Sequence, residues 1–163
     1  MKRYIPLFGF LLLAFSSCLK SGLDENLPKF KDAQITDVFM EYRFEDPNST
    51  SGGSPVVRVV TLNLTNKQFL KIEDHPGAST DSVVFDVTVP PASGSFTEAE
   101  RAKVSTTNLV FMSNISTAAT MSAVGSAPRP GAPGDFTQPQ QYLVTAADGS
   151  TRTWTIRIAN FIK

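Results

Sequence analysis

Apolar residues recur at every second position along most of this chain, in short runs separated by Gly, Pro, Asn and Asp, and no other feature constrains its fold as strongly. A period of two sends successive side chains to opposite faces of a pleated strand, so each run buries one face and wets the other. Val38, Met40, Tyr42 and Phe44 alternate in this way with Phe39, Glu41 and Arg43. Val56 to Leu64 (VVRVVTLNL) is rich in β-branched residues and follows the turn-forming stretch Asp46 to Pro55 (DPNSTSGGSP). Phe69, Leu70 and Ile72 mark a short strand before His75-Pro76-Gly77. Val83, Phe85, Val87 and Val89 share one face of Ser82 to Val89, and Pro90-Pro91 ends that strand because proline has no N–H to give a ladder. Thr107 to Ile115 returns to strand character, and a loop from Gly125 to Pro139 follows. Tyr142 to Ala147 and Thr151 to Ala159 flank Asp148-Gly149, a dipeptide that predicts a type I′ hairpin turn. Thr97 to Lys103 is the one helical-looking stretch, with Thr97 and Glu100 at capping-box spacing. About seven to eight short strands with so little helix predict an all-β fold, an antiparallel two-layer β-sandwich.

The first residues obey a different rule. Lys2 and Arg3 give a basic start, Tyr4 to Phe15 (YIPLFGFLLLAF) is an apolar run, and Ser16 and Ser17 precede the single cysteine, Cys18. That is the layout of a secretory signal, and the run is shorter than the roughly 20 apolar residues needed to span a bilayer. Phe15-Ser16-Ser17-Cys18 resembles the lipobox of bacterial lipoproteins, with Phe15 where Leu, Val or Ile is usual. The resemblance implies a lipoprotein signal peptide over residues 1–17 and lipid attachment at Cys18. Residues 18–32 are then expected to form the lipidated N-terminus and a spacer, and residues 33–163 the sandwich domain. Loss of Lys2 and Arg3 with the leader turns a formal charge of zero into −2. Such a domain has no electrostatic attraction to anionic lipid, so its expected membrane contact is the lipid anchor alone.

The closing segment Gln141 to Ile158 (QYLVTAADGSTRTWTIRI) resembles the pattern that ends many immunoglobulin-like domains of Bacteroidetes surface lipoproteins. There, a strand of the type YxVTAxDG leads into a Thr-rich, aromatic last strand. Val87 to Pro91 (VTVPP) and Asp135 to Pro139 (DFTQP) also sit where that family places comparable segments. The resemblance implies an immunoglobulin-like sandwich of unknown function, carried by an outer-membrane lipoprotein facing the periplasm or the exterior. It also implies a setting of glycan capture and import, and it transfers no catalytic residue.

Composition narrows the chemistry. One His and one Cys fall short of the three or four ligands a zinc site needs, and a lone Cys forms no intramolecular disulfide. With 15 Lys+Arg against 15 Asp+Glu there is no field to gather phosphates, so nucleic acid is not an expected partner. No calcium-loop pattern and no G-x-S-x-G elbow occurs, so neither a metal, a cofactor nor an activated serine is expected. His75 lies in a Pro/Gly turn, and Glu45/Asp46, Glu73/Asp74 and Glu98/Glu100 lie in polar or turn-like stretches, where solvated charge is the simpler role. The protein is accordingly expected not to be an enzyme.

Binding remains. Sugars pack their C–H faces on flat rings, which makes Trp154, Tyr42 and Tyr142 candidate ligand contacts, although each also falls on an apolar strand face where a core role is the default. Phe96 and Phe136, in Gly/Pro-rich loops, are further candidates. The expected function is that of a lipid-anchored envelope binding module with polysaccharide as the favoured ligand. The alternative is a structural or adhesin-type lipoprotein that binds another envelope protein through an edge strand or loop. Asp81-Ser82-Val83 resembles the short O-glycosylation signal of Bacteroidetes exported proteins, which implies Ser82 as a modification candidate.

Overall fold

The computed structural model describes residues 30–163, so the leader and Cys18 lie outside the described residues. Nine strands follow in order: β1 (Ile35–Ser51), β2 (Ser54–Thr61), β3 (Asn63–Leu70), β4 (Asp81–Thr88), β5 (Leu109–Ile115), β6 (Thr120–Ala123), β7 (Pro133–Gly134), β8 (Gln140–Thr145) and β9 (Thr151–Ile162). A 3-10 turn covers Ile72–Asp74, and among the described residues a single short helix, α1, covers Glu98–Lys103. One sheet has the order β2-β1-β5-β7 and the other β3-β4-β9-β8-β6. This is the expected all-β sandwich, with two more short strands, β6 and β7, than the alternation marks.

The period of two explains the core directly. Val38, Met40, Tyr42 and Phe44 of β1 face Val83, Phe85 and Val87 of β4 and Trp154 and Ile156 of β9, all buried. Burial of each such side chain contributes about 1.5–3 kcal/mol. Trp154 sits fully inside and donates its Nε1–H to Ala33 O at 3.1 Å, which ties the incoming chain to one end of the sandwich. At that end Asp148 N donates to Phe30 O and Ser150 Oγ to Lys31 O. The opposite end is closed by the Pro90–Lys103 segment, where Phe96 packs 6.1 Å from Phe44 and Thr97 Oγ1 caps α1 by accepting from Glu100 N at 3.2 Å.

Four local expectations are corrected. β4 and β9, at the centre of their sheet, run parallel. After β4 the chain crosses to the other sheet at β5, back at β6, over again at β7 and back at β8, which feeds β9 in the same direction as β4. Asp46 to Pro55 is not a loop, since β1 continues to Ser51 over a bulge held by Asp46, whose carboxylate accepts from Asn48 N and from Arg58. The turn that needs two positive φ angles is Gly52-Gly53, at 59° and 84°. At Asp148-Gly149 only the glycine is left-handed, at 92°, and the loop is longer. There Ala146 O accepts from Gly149 N while the Asp148 carboxylate accepts from Ser150 N, so a type I turn plus a left-handed residue replaces the tight I′ turn. Finally, Val56 to Leu64 is two strands rather than one. Leu62 carries the chain from β2 in one sheet to β3 in the other, its N–H donating to Met40 O at 2.9 Å.

Candidate functional site

The rings that a sugar would need are inside the protein. Trp154 and Tyr142 are 0% exposed, Phe136 4%, Tyr42 5% and Phe96 6%. All five are therefore core residues, and Phe96 also lines a surface cleft. The two loop rings fold back: Phe96 onto Tyr42 and Phe44, Phe136 onto Phe111. Their polar companions are satisfied internally, with Tyr142 Oη donating to Pro128 O at 2.9 Å and Tyr42 Oη to Glu100 Oε1 at 2.7 Å. Burial, then the bond to Glu100, pushes the Tyr42 phenol up to about 12, and burial raises that of Tyr142. Burial also works to raise Glu100, but the bonds from Lys103 and Tyr42 outweigh it and hold the carboxyl below its usual range.

The remaining sequence candidates are equally placed by the fold. Ser82 is half-buried in the interior strand β4, paired with Leu70 on one side and Thr155 on the other. His75 is exposed, its ring Nδ1 3.1 Å from Lys71 O. Among the carboxylates set aside as solvated, Asp46, Glu73 and Glu100 are held instead by neighbours: Asp46 pairs with Arg58 at 3.1 Å, Glu73 with Arg152 at 3.1 Å and Glu100 with Lys103 at 2.8 Å.

Clefts on the described surface include the following two. One, of about 230 Å³, lies beside the 3-10 turn and is lined by Ile72, Glu73, Ser79, Asp81, Arg152 and Thr153. Arg152 spans it, donating to Asp81 Oδ2 and Glu73 Oε2, each at 3.1 Å. The bond to Asp81, more than that to Glu73, holds the guanidinium above its ordinary range. The other cleft, of about 290 Å³, lies between β2 and the segment that follows β4, with Phe44, Arg58, Val60, Pro91 and Phe96 in its walls.

The feature that sequence reading left unplaced is the edge to which this second cleft belongs. Among the described residues β2 is hydrogen-bonded only to β1, in unbroken register from Thr61 to Val56. The bond from Leu62 N to Met40 O fixes the parity of that ladder: Leu62, Val60, Arg58 and Val56 turn their main-chain groups toward β1. Val57, Val59 and Thr61 therefore point their N–H and C=O groups outward. Val57 and Val59 are also 56% and 53% exposed. The other three edges are blunted. β7 has two residues including Pro133, and β6 has four. β3 is broken by a bulge between Thr65 and Gln68, where Asn66 adopts φ 52°, and its Lys67 reaches Asp37 Oδ1 at 2.7 Å. Short strands, proline, bulges and charged side chains are the usual means of preventing strand addition, and along its Val56–Thr61 run β2 has one of them, the Arg58 charge on its inner face.

Comparison with known proteins adds a family and a relative. The sequence profile of the DUF5018-related family matches residues 35–157. Among solved structures the chain is similar to one described as a "putative secreted protein" from Bacteroides fragilis NCTC 9343. The two share 36% sequence identity and a TM-score of 0.68 over 83% of this chain and 100% of that one. A "putative glycoside hydrolase" from Bacteroides thetaiotaomicron VPI-5482 aligns at 22% identity and a TM-score of 0.33 over 61% of this chain and 25% of that one, too slight a likeness to bear on function. No curated protein matches.

Proposed function

The chain belongs to the DUF5018-related family, and from that premise we propose an exported, lipid-anchored, non-enzymatic domain of the cell envelope that binds protein along the free edge of β2. Export is supported by the secreted description of the Bacteroides fragilis relative and by the basic, apolar, small-residue order of residues 1–18. Anchoring at Cys18 is supported by the lipobox resemblance of residues 15–18, and the immunoglobulin-like reading by the closing segment Gln141 to Ile158. A binding rather than catalytic role is supported by the carboxylates Asp46, Glu73, Asp81 and Glu100, each committed to a cation partner.

One observation carries the choice of protein over carbohydrate. Val57, Val59 and Thr61 present a row of outward main-chain donors and acceptors, interrupted by no proline or bulge, which a partner strand satisfies and a sugar does not. Carbohydrate keeps one specific observation in its favour, the Arg152 cleft, where a guanidinium between two carboxylates could receive a diol. The experiment places a photo-crosslinking residue at position 57 or, as a control, at exposed Ser122, in the anchored protein in its own cells. Position 57 should give a discrete adduct with an envelope protein and Ser122 should not. Absence of adducts at 57, together with retention in a polysaccharide affinity gel that Arg152→Met abolishes, would transfer the function to the polar cleft.

A further inference from the structure

We infer that the strand which occupies this edge is β2 of a second copy of the chain, paired antiparallel about Val59. The inference rests on the protein-binding edge just described and names its occupant. An added antiparallel strand must place outward-pointing residues opposite one another, because only those exchange both main-chain hydrogen bonds. For two copies of β2 this leaves five alignments, and the two centred beyond Val59 (Val59 opposite Thr61, and Thr61 opposite its own copy) pair fewer residues because the chain leaves the sheet at Leu62. Val57 opposite its own copy sets Pro55, which has no N–H, against Val59, and two bonds are lost. Val57 opposite Val59 sets Arg58 directly against Arg58 in a close, non-hydrogen-bonded pair, a like-charge contact. Val59 opposite Val59 avoids both. It sets Val57 against Thr61 twice and leaves every residue in the three pairs with an N–H, for about six main-chain bonds.

Side chains agree with that register. On the outer face Val57 and Val59 of the two copies form one apolar row, which covers the most exposed valines of the chain. On the inner face Arg58 lies opposite the partner's Val60, at the mouth of the cleft of about 290 Å³ that Phe44 and Phe96 help to line. The two four-stranded sheets become one continuous sheet about a two-fold axis normal to it. That symmetry sends the two N-terminal ends to opposite ends of the pair. About twelve residues separate Cys18 from Phe30, a reach of roughly 40 Å when extended, so both anchors meet one membrane beneath a dimer whose strands lie along its surface. A single strand edge is smaller than the roughly 800 Å² per partner of a stable interface, so the pair is weak in free solution and is promoted by tethering on a membrane.

The test uses residues 19–163, which hold no cysteine and contain the whole core from Ala33 to Ile156. Sedimentation velocity should show the average mass rising with concentration toward roughly twice the monomer's. Val59→Lys, which places two ammonium groups together at the axis, should hold the protein monomeric with unchanged circular dichroism and melting. Val59→Cys should close an intermolecular disulfide on mild oxidation, since hydrogen-bonded partners lie at about 5.5 Å between Cα atoms. Val57→Cys, which faces Thr61 of the other copy, should not. A mass that stays monomeric at every concentration, a dimer that survives Val59→Lys, or equal linking by Val57→Cys overturns the inference. If the protein stays monomeric while position 57 still links to a different envelope protein in cells, only the second copy is refuted. If position 57 yields no adduct at all, the protein-binding edge falls with it.

Discussion

Asp81→Ala should destabilise the domain by about 2–3 kcal/mol, although the residue is polar and opens onto a cleft. Its carboxylate is 1% exposed, with Oδ1 accepting from Ile72 N at 2.7 Å and Oδ2 from Arg152 Nη1 at 3.1 Å. A hydrogen bond to a charged group contributes about 1.5–3 kcal/mol. Arg152 is 35% exposed and keeps Glu73, so solvent screening moves its share to the lower end, about 1.5 kcal/mol. Loss of the acceptor for Ile72 N adds about 1 kcal/mol, because that residue is itself 42% exposed and water can reach its amide. For a domain of this size the sum corresponds to a fall in Tm of about 10 °C. Arg152→Met should cost a similar amount by leaving the buried carboxylate with the Ile72 amide alone. Urea unfolding of the two single variants and the double variant closes the cycle, with an expected coupling of about 1.5 kcal/mol. Two single effects below about 0.5 kcal/mol, the range of ordinary surface changes, or strict additivity, would show that this end of the sandwich does not depend on the pair.

Three further outcomes follow from particular contacts. In residues 19–163 the only tyrosines are Tyr42 and Tyr142, both with raised phenol pKa, so no phenolate absorption should develop near pH 10 while the fold persists. A raised folded pKa adds stability that is complete below the unfolded value of 10.0 and is lost as pH rises through about 12, so ionisation should coincide with alkaline unfolding. A tyrosine titrating near 10 in the folded protein would contradict its burial. Gly134→Ala should destabilise by about 1–3 kcal/mol, because a Cβ there meets the Pro128 ring; wild-type melting would show that the loop yields freely. Cys18→Ala in the full chain should abolish metabolic labelling by a fatty-acid probe and release the protein from membranes, and unchanged labelling would exclude the proposed anchor.

Where a structural choice is made within a few residues, the sequence announces it. Val83, Phe85 and Val87 alternate, and β4 is buried on that face; Thr97 and Glu100 stand three apart, and Thr97 caps α1. Choices made by distant partners were hidden. Asp46 to Pro55 carries turn-forming residues throughout, yet Arg58 across the hairpin holds Asp46 in a bulge and pushes the turn out to Gly52-Gly53. The direction of β9 beside β4 depends on a detour through the opposite sheet. The burial of the candidate rings was hidden for a related reason: an aromatic on an apolar strand face has the same pattern whether it meets the core or a ligand, and the second sheet covers it. VVRVV is plainly a strand, but whether it lies inside a sheet or at its edge is set by the crossing at Leu62.

The most direct measurement of the central claim is amide hydrogen exchange resolved along β2. At dilution Val57, Val59 and Thr61 should exchange orders of magnitude faster than Arg58, Val60 and Leu62, the alternation of a strand bonded on one side only. As concentration carries the mass toward that of the dimer, the three fast amides should become protected together. Uniform protection along β2 at dilution, or continued fast exchange of Val57, Val59 and Thr61 in the dimer, would contradict it.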